Sequence, residues 1–221
     1  MVACSRGSAR RPPLREIQEI LGAGPAIPIL TLDHVQDVRP LAEALLEGGL
    51  RVLEVTLRSE AGFWAIAAIA RDCPGLIVGA GTVLLEEQVN RAADCGAQFL
   101  VSPGVTQNVA RAASARGIAL LPGIATASDI MRGRELGFTA FKFFPAEASG
   151  GVAMLKAFDG PFPNVRFCPT GGVGPSNARG YLALSNVSCV AGSWLAPSDA
   201  IEAKDWNRIR ALARDASRLR S

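Results

Sequence analysis

The sequence predicts an α/β fold, a single-domain (β/α)8 TIM barrel with an extra N-terminal helix. Three observations carry that prediction. Eight short runs rich in β-branched and apolar residues follow one another, turn residues close each run, and the stretches between them place apolar residues three and four apart, the period of an amphipathic helix. The runs begin at Ala26, Val52, Leu76, Phe99, Ala119, Ala140, Arg166 and Ser188, so successive starts lie 26, 24, 23, 20, 21, 26 and 22 residues apart. Each interval has room for one helix and two short loops. An open doubly wound sheet has a similar rhythm, and the count of eight favours the barrel.

The elements follow in order. Residues 1–13, MVACSRGSARRPP, hold arginines with no apolar run behind them, which does not fit a secretory signal and reads as a flexible tail. The barrel domain is expected over residues 14–221. Leu14 to Leu21 form the extra helix, and AIPILTL is the first strand. Val35, Val38, Leu41, Ala42 and Leu45 then share one helical face. VLEVTL, LIVGAGT, FLVSPG, ALLPGI, AFKFFPA, RFCPTGG and SCVAGSW are the next seven strands with their turns. Ile209, Leu212, Ala213 and Ala216 mark a last helix, whose late arginines suit a helix C-terminus.

Composition sets bounds on function. The chain has 221 residues, 49% of them hydrophobic and 19% charged, which is enough to bury a large core and excludes disorder as its main state. The longest apolar stretch, Ala61 to Ala70, falls far short of the ~20 residues of a membrane span, so a soluble protein is expected. Net charge is +3, and Arg6, Arg10 and Arg11 of the tail account for it. A neutral body argues against nucleic acid as a partner. Five widely spaced cysteines without a CxxC pair suit packing roles in a reduced, cytoplasmic protein. His34 is the only histidine, sits beside Asp33 and is expected on the surface. No HxH or HExxH exists, so neither a metal site nor a Ser-His nucleophile is expected.

Strand alternation then locates the chemistry. In the second run Leu53, Val55 and Leu57 form one face, and Glu54, Thr56 and Arg58 the other. In the sixth, Phe141 and Phe143 share a face opposite Lys142 and Phe144. Charges inside a barrel usually packed with branched apolar side chains cost several kcal/mol without partners, which points to chemistry. Lysine is scarce, at Lys142, Lys156 and Lys204 only, and Lys142 alone lies in a strand. One reading is a structural ion pair with Glu54. The other is an amine kept neutral: at a pKa near 10.4 fewer than ~0.1% of lysines are neutral at pH 7, and lowering it to near neutrality costs roughly 4 kcal/mol. Burial among Phe141, Phe143 and Phe144, with Arg58 as a cationic neighbour, would supply such a shift. A neutral amine attacks ketones, so Schiff-base chemistry leads. Glu54 is then the proton shuttle, unless it merely pairs with Arg58 or Lys142. Arg58 offers a planar fork to a substrate carboxylate. Thr82 adds a hydroxyl, or else GAGT is only a tight turn.

Glycines gather after the seventh and eighth runs, in PTGGVGPSN and AGSW. Barrels often bind phosphate with these two loops, through backbone N–H groups and a helix N-terminus. Gly171, Gly172 and Ser193 are the candidate donors; read otherwise, they are plain turns.

The segments RVLEVTLRSE, IVGAGTV, FLVSPGVT, LLPGIAT, FKFFPAE, RFCPTGGV and AGSWL, in this order and spacing, resemble the class I 2-keto-3-deoxy-6-phosphogluconate (KDPG) aldolases over the chain from about Leu14 onward. The resemblance implies a lysine-dependent aldehyde-lyase of the Entner–Doudoroff route that cleaves the phosphorylated keto acid reversibly to pyruvate and glyceraldehyde 3-phosphate, needs no cofactor beyond its own lysine, and assembles as a homotrimer. It also implies roles. Lys142 would form the Schiff base, Glu54 would be the acid/base and Arg58 would bind the carboxylate. Thr82 and Pro103 would lie near the pyruvyl group, Phe144 would line the pocket, and Thr170, Gly171, Gly172 and Ser193 would contact phosphate. Aldolases acting on the galactonate epimer or on 4-hydroxy-2-oxoglutarate are rival readings, as is a phosphosugar-binding barrel without lysine chemistry.

Overall fold

The computed structural model describes residues 16–220; the expected tail, and Leu14 and Arg15 of the expected extra helix, lie outside them. The chain opens with α1 (Ile17–Gly22), β1 (Ala26–Leu30) and α2 (Val38–Glu47). There follow β2 (Val52–Thr56), α3 (Glu60–Asp72), β3 (Ile77–Gly81), α4 (Glu86–Asp94), β4 (Phe99–Val101) and α5 (Gln107–Arg116). The second half runs β5 (Ala119–Leu121), β6 (Gly123–Ile124), α6 (Ala127–Glu135), β7 (Ala140–Phe143), α7 (Gly151–Asp159), β8 (Arg166–Pro169) and α8 (Ala178–Leu182). It ends with β9 (Val190–Gly192), α9 (Ser198–Glu202) and α10 (Trp206–Ser217).

All strand pairs are parallel. One sheet has the order β5-β4-β3-β2-β1-β9 and the other β6-β7-β8. Two seams relate them. Phe167 bridges Val187 and Thr170 bridges Ala191, bringing the β8 segment beside that of β9. On the other side β5 and β6 are the two pieces of the single run ALLPGI, parted by Pro122, which has no N–H to give a ladder. The architecture is therefore α/β with parallel strands, of the TIM-like barrel kind.

Alternation along each strand sorts two apolar layers. Leu53, Val55, Val78, Leu100, Phe141 and Phe167 pack outward against helix residues such as Leu41, Ile66, Val89 and Ile209. Ile27, Val52, Ile77, Phe99, Leu121, Ala140 and Cys168 form the inner cluster, and α1 adds Ile20 and Leu21 to it. Ile27, Val52, Ile77, Phe99 and Ala140 of this cluster come from the first two residues of their strands, Leu121 and Cys168 from further along, and α1 packs against them. Cys73, Cys95, Cys168 and Cys189 are buried, in keeping with packing roles. Cys4 lies outside the described residues. His34 is exposed. No helix of the described residues is long and apolar enough to cross a membrane.

Candidate active site

Two residues beyond Val52, the inner face of β2 carries Glu54; two beyond Ala140, that of β7 carries Lys142. The side chains meet across the barrel, Lys142 Nζ lying 3.3 Å from Glu54 Oε1, and retain only 8% and 3% of their side-chain exposure. A pair so far from solvent gains its attraction at a real desolvation cost. Backbone order fixes both ends. Glu54 stands opposite Ile29 and Gly79 in neighbouring strands, and Lys142 opposite Gly123 and Cys168.

Glycines make the room. A Cβ on Gly81 would lie 2.1 Å from Glu54 Oε1, and one on Gly79 2.3 Å from the Phe99 ring. The segment GAG is thus strand with two small inward positions rather than a turn. Isolated glycines in a strand signal close approach, and that signal was available in the sequence. Gly123 does the same for Pro103, whose carbonyl carbon lies 2.2 Å from where a Cβ would be. Thr82 follows Gly81 with φ +59°, in the left-handed region. Only Thr82 of the GAGT segment is past the strand, and it is half-buried.

The environment of the lysine differs from expectation. Phe141 and Phe143 face outward into the helix layer, because they occupy the other parity of β7. Of the three phenylalanines only Phe144 meets the amine, with Nζ 5.3 Å from its ring centroid. Phe144 also borders Gly171, whose missing Cβ would fall 3.2 Å from Phe144 Cδ2. Arg58, expected beside Lys142, is exposed and pairs with no carboxylate among the described residues. The expected alternative of a Glu54–Arg58 bridge is not formed.

Thr170 is buried, its N–H donating to the Phe143 carbonyl at 2.9 Å and its hydroxyl to the Cys168 carbonyl at 3.3 Å. Gly171 and Gly172 follow with φ +93° and +77°, values that favour glycine. Ser193 is exposed at the end of β9. The structure thus brings Lys142, Glu54, Phe144, Thr170 and the Gly171–Gly172 turn to one end of the barrel, with Thr82, Pro103, Arg58 and Ser193 at neighbouring strand ends. Thr56, buried on the same inner face as Glu54, donates to the Leu30 carbonyl at 3.1 Å and lies 3.0 Å from the Thr31 hydroxyl; Thr31 had no place in the sequence reading. No group of three or more His, Cys, Asp or Glu able to hold a metal occurs among the described residues. A cavity of about 500 Å³ between α1, α5 and the segment before β7 includes none of these side chains.

A parallel TIM-like barrel with a buried lysine–carboxylate pair facing inward from β2 and β7 has the arrangement of a lysine-centred barrel enzyme. Comparison narrows it. The family model for KDPG and KHG aldolase matches residues 17–212. A 2-dehydro-3-deoxy-phosphogluconate aldolase of Pseudoalteromonas atlantica is 53% identical over 199 residues, which cover 90% of this chain and 93% of that protein. The KHG/KDPG aldolase of Escherichia coli K12 is 52% identical with the same coverage. A KDPG aldolase from Legionella pneumophila, solved with pyruvate captured at low pH as a covalent carbinolamine intermediate, superposes with a TM-score of 0.90 at 42% identity, covering 92% of this chain and 98% of the other. The chain belongs to the KDPG and KHG aldolase family.

Proposed function

We propose that this protein is a class I aldolase that cleaves 2-keto-3-deoxy-6-phosphogluconate reversibly to pyruvate and glyceraldehyde 3-phosphate. The observation that carries the proposal is the buried pair of Lys142 and Glu54 facing each other across the barrel. The Lys142 ammonium passes a proton to Glu54 across their contact, and the neutral amine adds to the C2 ketone to give a carbinolamine. Glu54 then protonates the departing hydroxyl, and water leaves an iminium ion. Glu54, again a carboxylate, takes the C4 hydroxyl proton as the C3–C4 bond breaks, with the iminium as electron sink. Glyceraldehyde 3-phosphate departs, and the enamine is protonated and hydrolysed to release pyruvate.

The other assignments carry over from the family resemblance. Arg58, with no carboxylate partner among the described residues, would take the substrate carboxylate. Thr82 and Pro103 would border the pyruvyl group, and Phe144 would wall the pocket. Thr170, Gly171, Gly172 and Ser193 would hold the phosphate. We read residues 14–221 as one closed (β/α)8 barrel, α1 as its extra helix and residues 1–13 as a tail. The protein would work as a cytoplasmic homotrimer on small molecules alone. The Escherichia coli relative is named for KHG as well, so 4-hydroxy-2-oxoglutarate is the second substrate to assay, and the galactonate epimer the third.

Incubation with pyruvate and borohydride should inactivate the protein and add a pyruvyl-derived mass at Lys142, while EDTA leaves cleavage unchanged. Trapping that persists in Lys142→Ala would move the nucleophile elsewhere.

A further inference from the structure

The turn after β8 is gripped from outside by a contact the aldol chemistry does not use. The Ala146 N–H donates to the Thr170 carbonyl at 2.7 Å and the Glu147 N–H to the Gly171 carbonyl at 3.1 Å. The Glu147 side chain then crosses Gly172, where an added Cβ would lie 2.6 Å from Glu147 Cγ. Its carboxylate is caught by the Tyr181 hydroxyl, which donates to Oε1. Tyr181 belongs to α8, the helix that follows the turn, and the residue is fully buried. Burial, and then the facing carboxylate of Glu147, push the Tyr181 phenol well above its ordinary range, so it remains a donor at any physiological pH. From within the turn, Asn177 Oδ1 accepts the Gly174 N–H at 2.8 Å and Nδ2 donates to the Gly172 carbonyl at 2.9 Å. Both the carbonyl and the α-carbon of Gly172 are therefore fixed.

A carboxylate near an anion site is unfavourable by charge, so its presence calls for a geometric reason. We propose that Glu147 and Tyr181 form a strut, positioning residues that fix the Gly171–Gly172 peptides and so set the affinity for the phosphate end of the substrate. The inference rests on the phosphate assignment above. A turn that binds through backbone N–H groups is effective only if it does not have to be ordered when the ligand arrives.

The test is condensation of pyruvate with glyceraldehyde 3-phosphate or with unphosphorylated glyceraldehyde. Wild-type protein should show the lower KM for the phosphorylated acceptor. In Tyr181→Phe and Glu147→Ala that KM should rise roughly tenfold, with kcat within about threefold and the KM for glyceraldehyde unmoved. Glu147→Gln, which keeps the length and an acceptor oxygen, should restore it to within about twofold. Equal rises for both acceptors, or a Gln variant as impaired as Ala, overturn the strut. If wild-type protein does not distinguish the acceptors, the phosphate assignment falls and the strut with it; if wild type distinguishes them and Tyr181→Phe does so equally well, only the strut falls. Should Glu147→Ala fail to fold, Tyr181→Phe, which keeps the buried ring, decides the matter.

Discussion

The same strands serve two different interiors. Toward their amino ends the inward positions are Ile27, Val52, Ile77, Phe99 and Ala140, closed over by Ile20 and Leu21 of α1. One inward step further along, β2 offers Glu54, β3 Gly79 and β7 Lys142, and Thr170 follows just past β8. The first interior is apolar and filled by side chains. The second combines opposite charges with glycines, so its shape depends on what is left out as much as on what is present. Apolar side chains fill the first interior and the buried charges lie in the second, the direction in which barrels place their active sites.

Substitutions should separate the two ends. The largest effect is expected at the polar end: Lys142→Ala should lower cleavage by at least about 10⁴-fold, followed as pyruvate release, in a protein that still melts cooperatively. At the apolar end, Leu21→Ala should cost about 2–5 kcal/mol in urea unfolding and leave kcat/KM of the folded enzyme within about twofold. A comparable loss of activity there would end the separation. Gly81→Ala sharpens it from the polar side. The new methyl would claim the place of Glu54 Oε1, 2.1 Å away, and displacing the carboxylate should reduce kcat/KM about 10²-fold.

The smallest effect should come from neither end. Thr126 caps α6, and Asp129 returns the contact, accepting the Thr126 N–H at 3.0 Å and its hydroxyl at 2.8 Å. Burial pushes the Asp129 carboxyl up, but the Thr126 hydroxyl, the Ala125 and Thr126 N–H groups and the charge of Arg132 outweigh it, so the net direction is below the ordinary 3.8. A carboxyl lower in the folded state stabilises above that value and loses its contribution as pH falls through the folded value. Asp129→Ala should therefore cost about 1 kcal/mol at pH 7, with the difference from wild type shrinking below pH 3.8.

What was legible in the sequence was whatever depends on period. Alternation put Glu54 and Lys142 on inward faces, and the spacing of the runs placed the glycines of PTGG beyond a strand end. What was not legible depends on which neighbour an inward side chain meets. Alternation already set Phe141 and Phe143 on the face opposite Lys142, and it was only the expectation of burial among all three phenylalanines that failed. The break at Pro122 divides one expected strand into β5 and β6. The Glu147–Tyr181 contact joins a residue just past β7 to one in α8, 34 positions away, and no local pattern relates them. The two inward glycines of β3 were readable as close approach, but GAGT also has the composition of a turn.

Thr82 has one more consequence. A β-branched residue at φ +59° occupies backbone territory natural to glycine, at a cost of roughly 1–2 kcal/mol. Thr82→Gly removes that strain at an entropic cost of about 0.5–1 kcal/mol, so the melting temperature should change little or rise slightly. A non-glycine residue held at this angle marks the end of β3 as a place where the backbone is strained in the folded state.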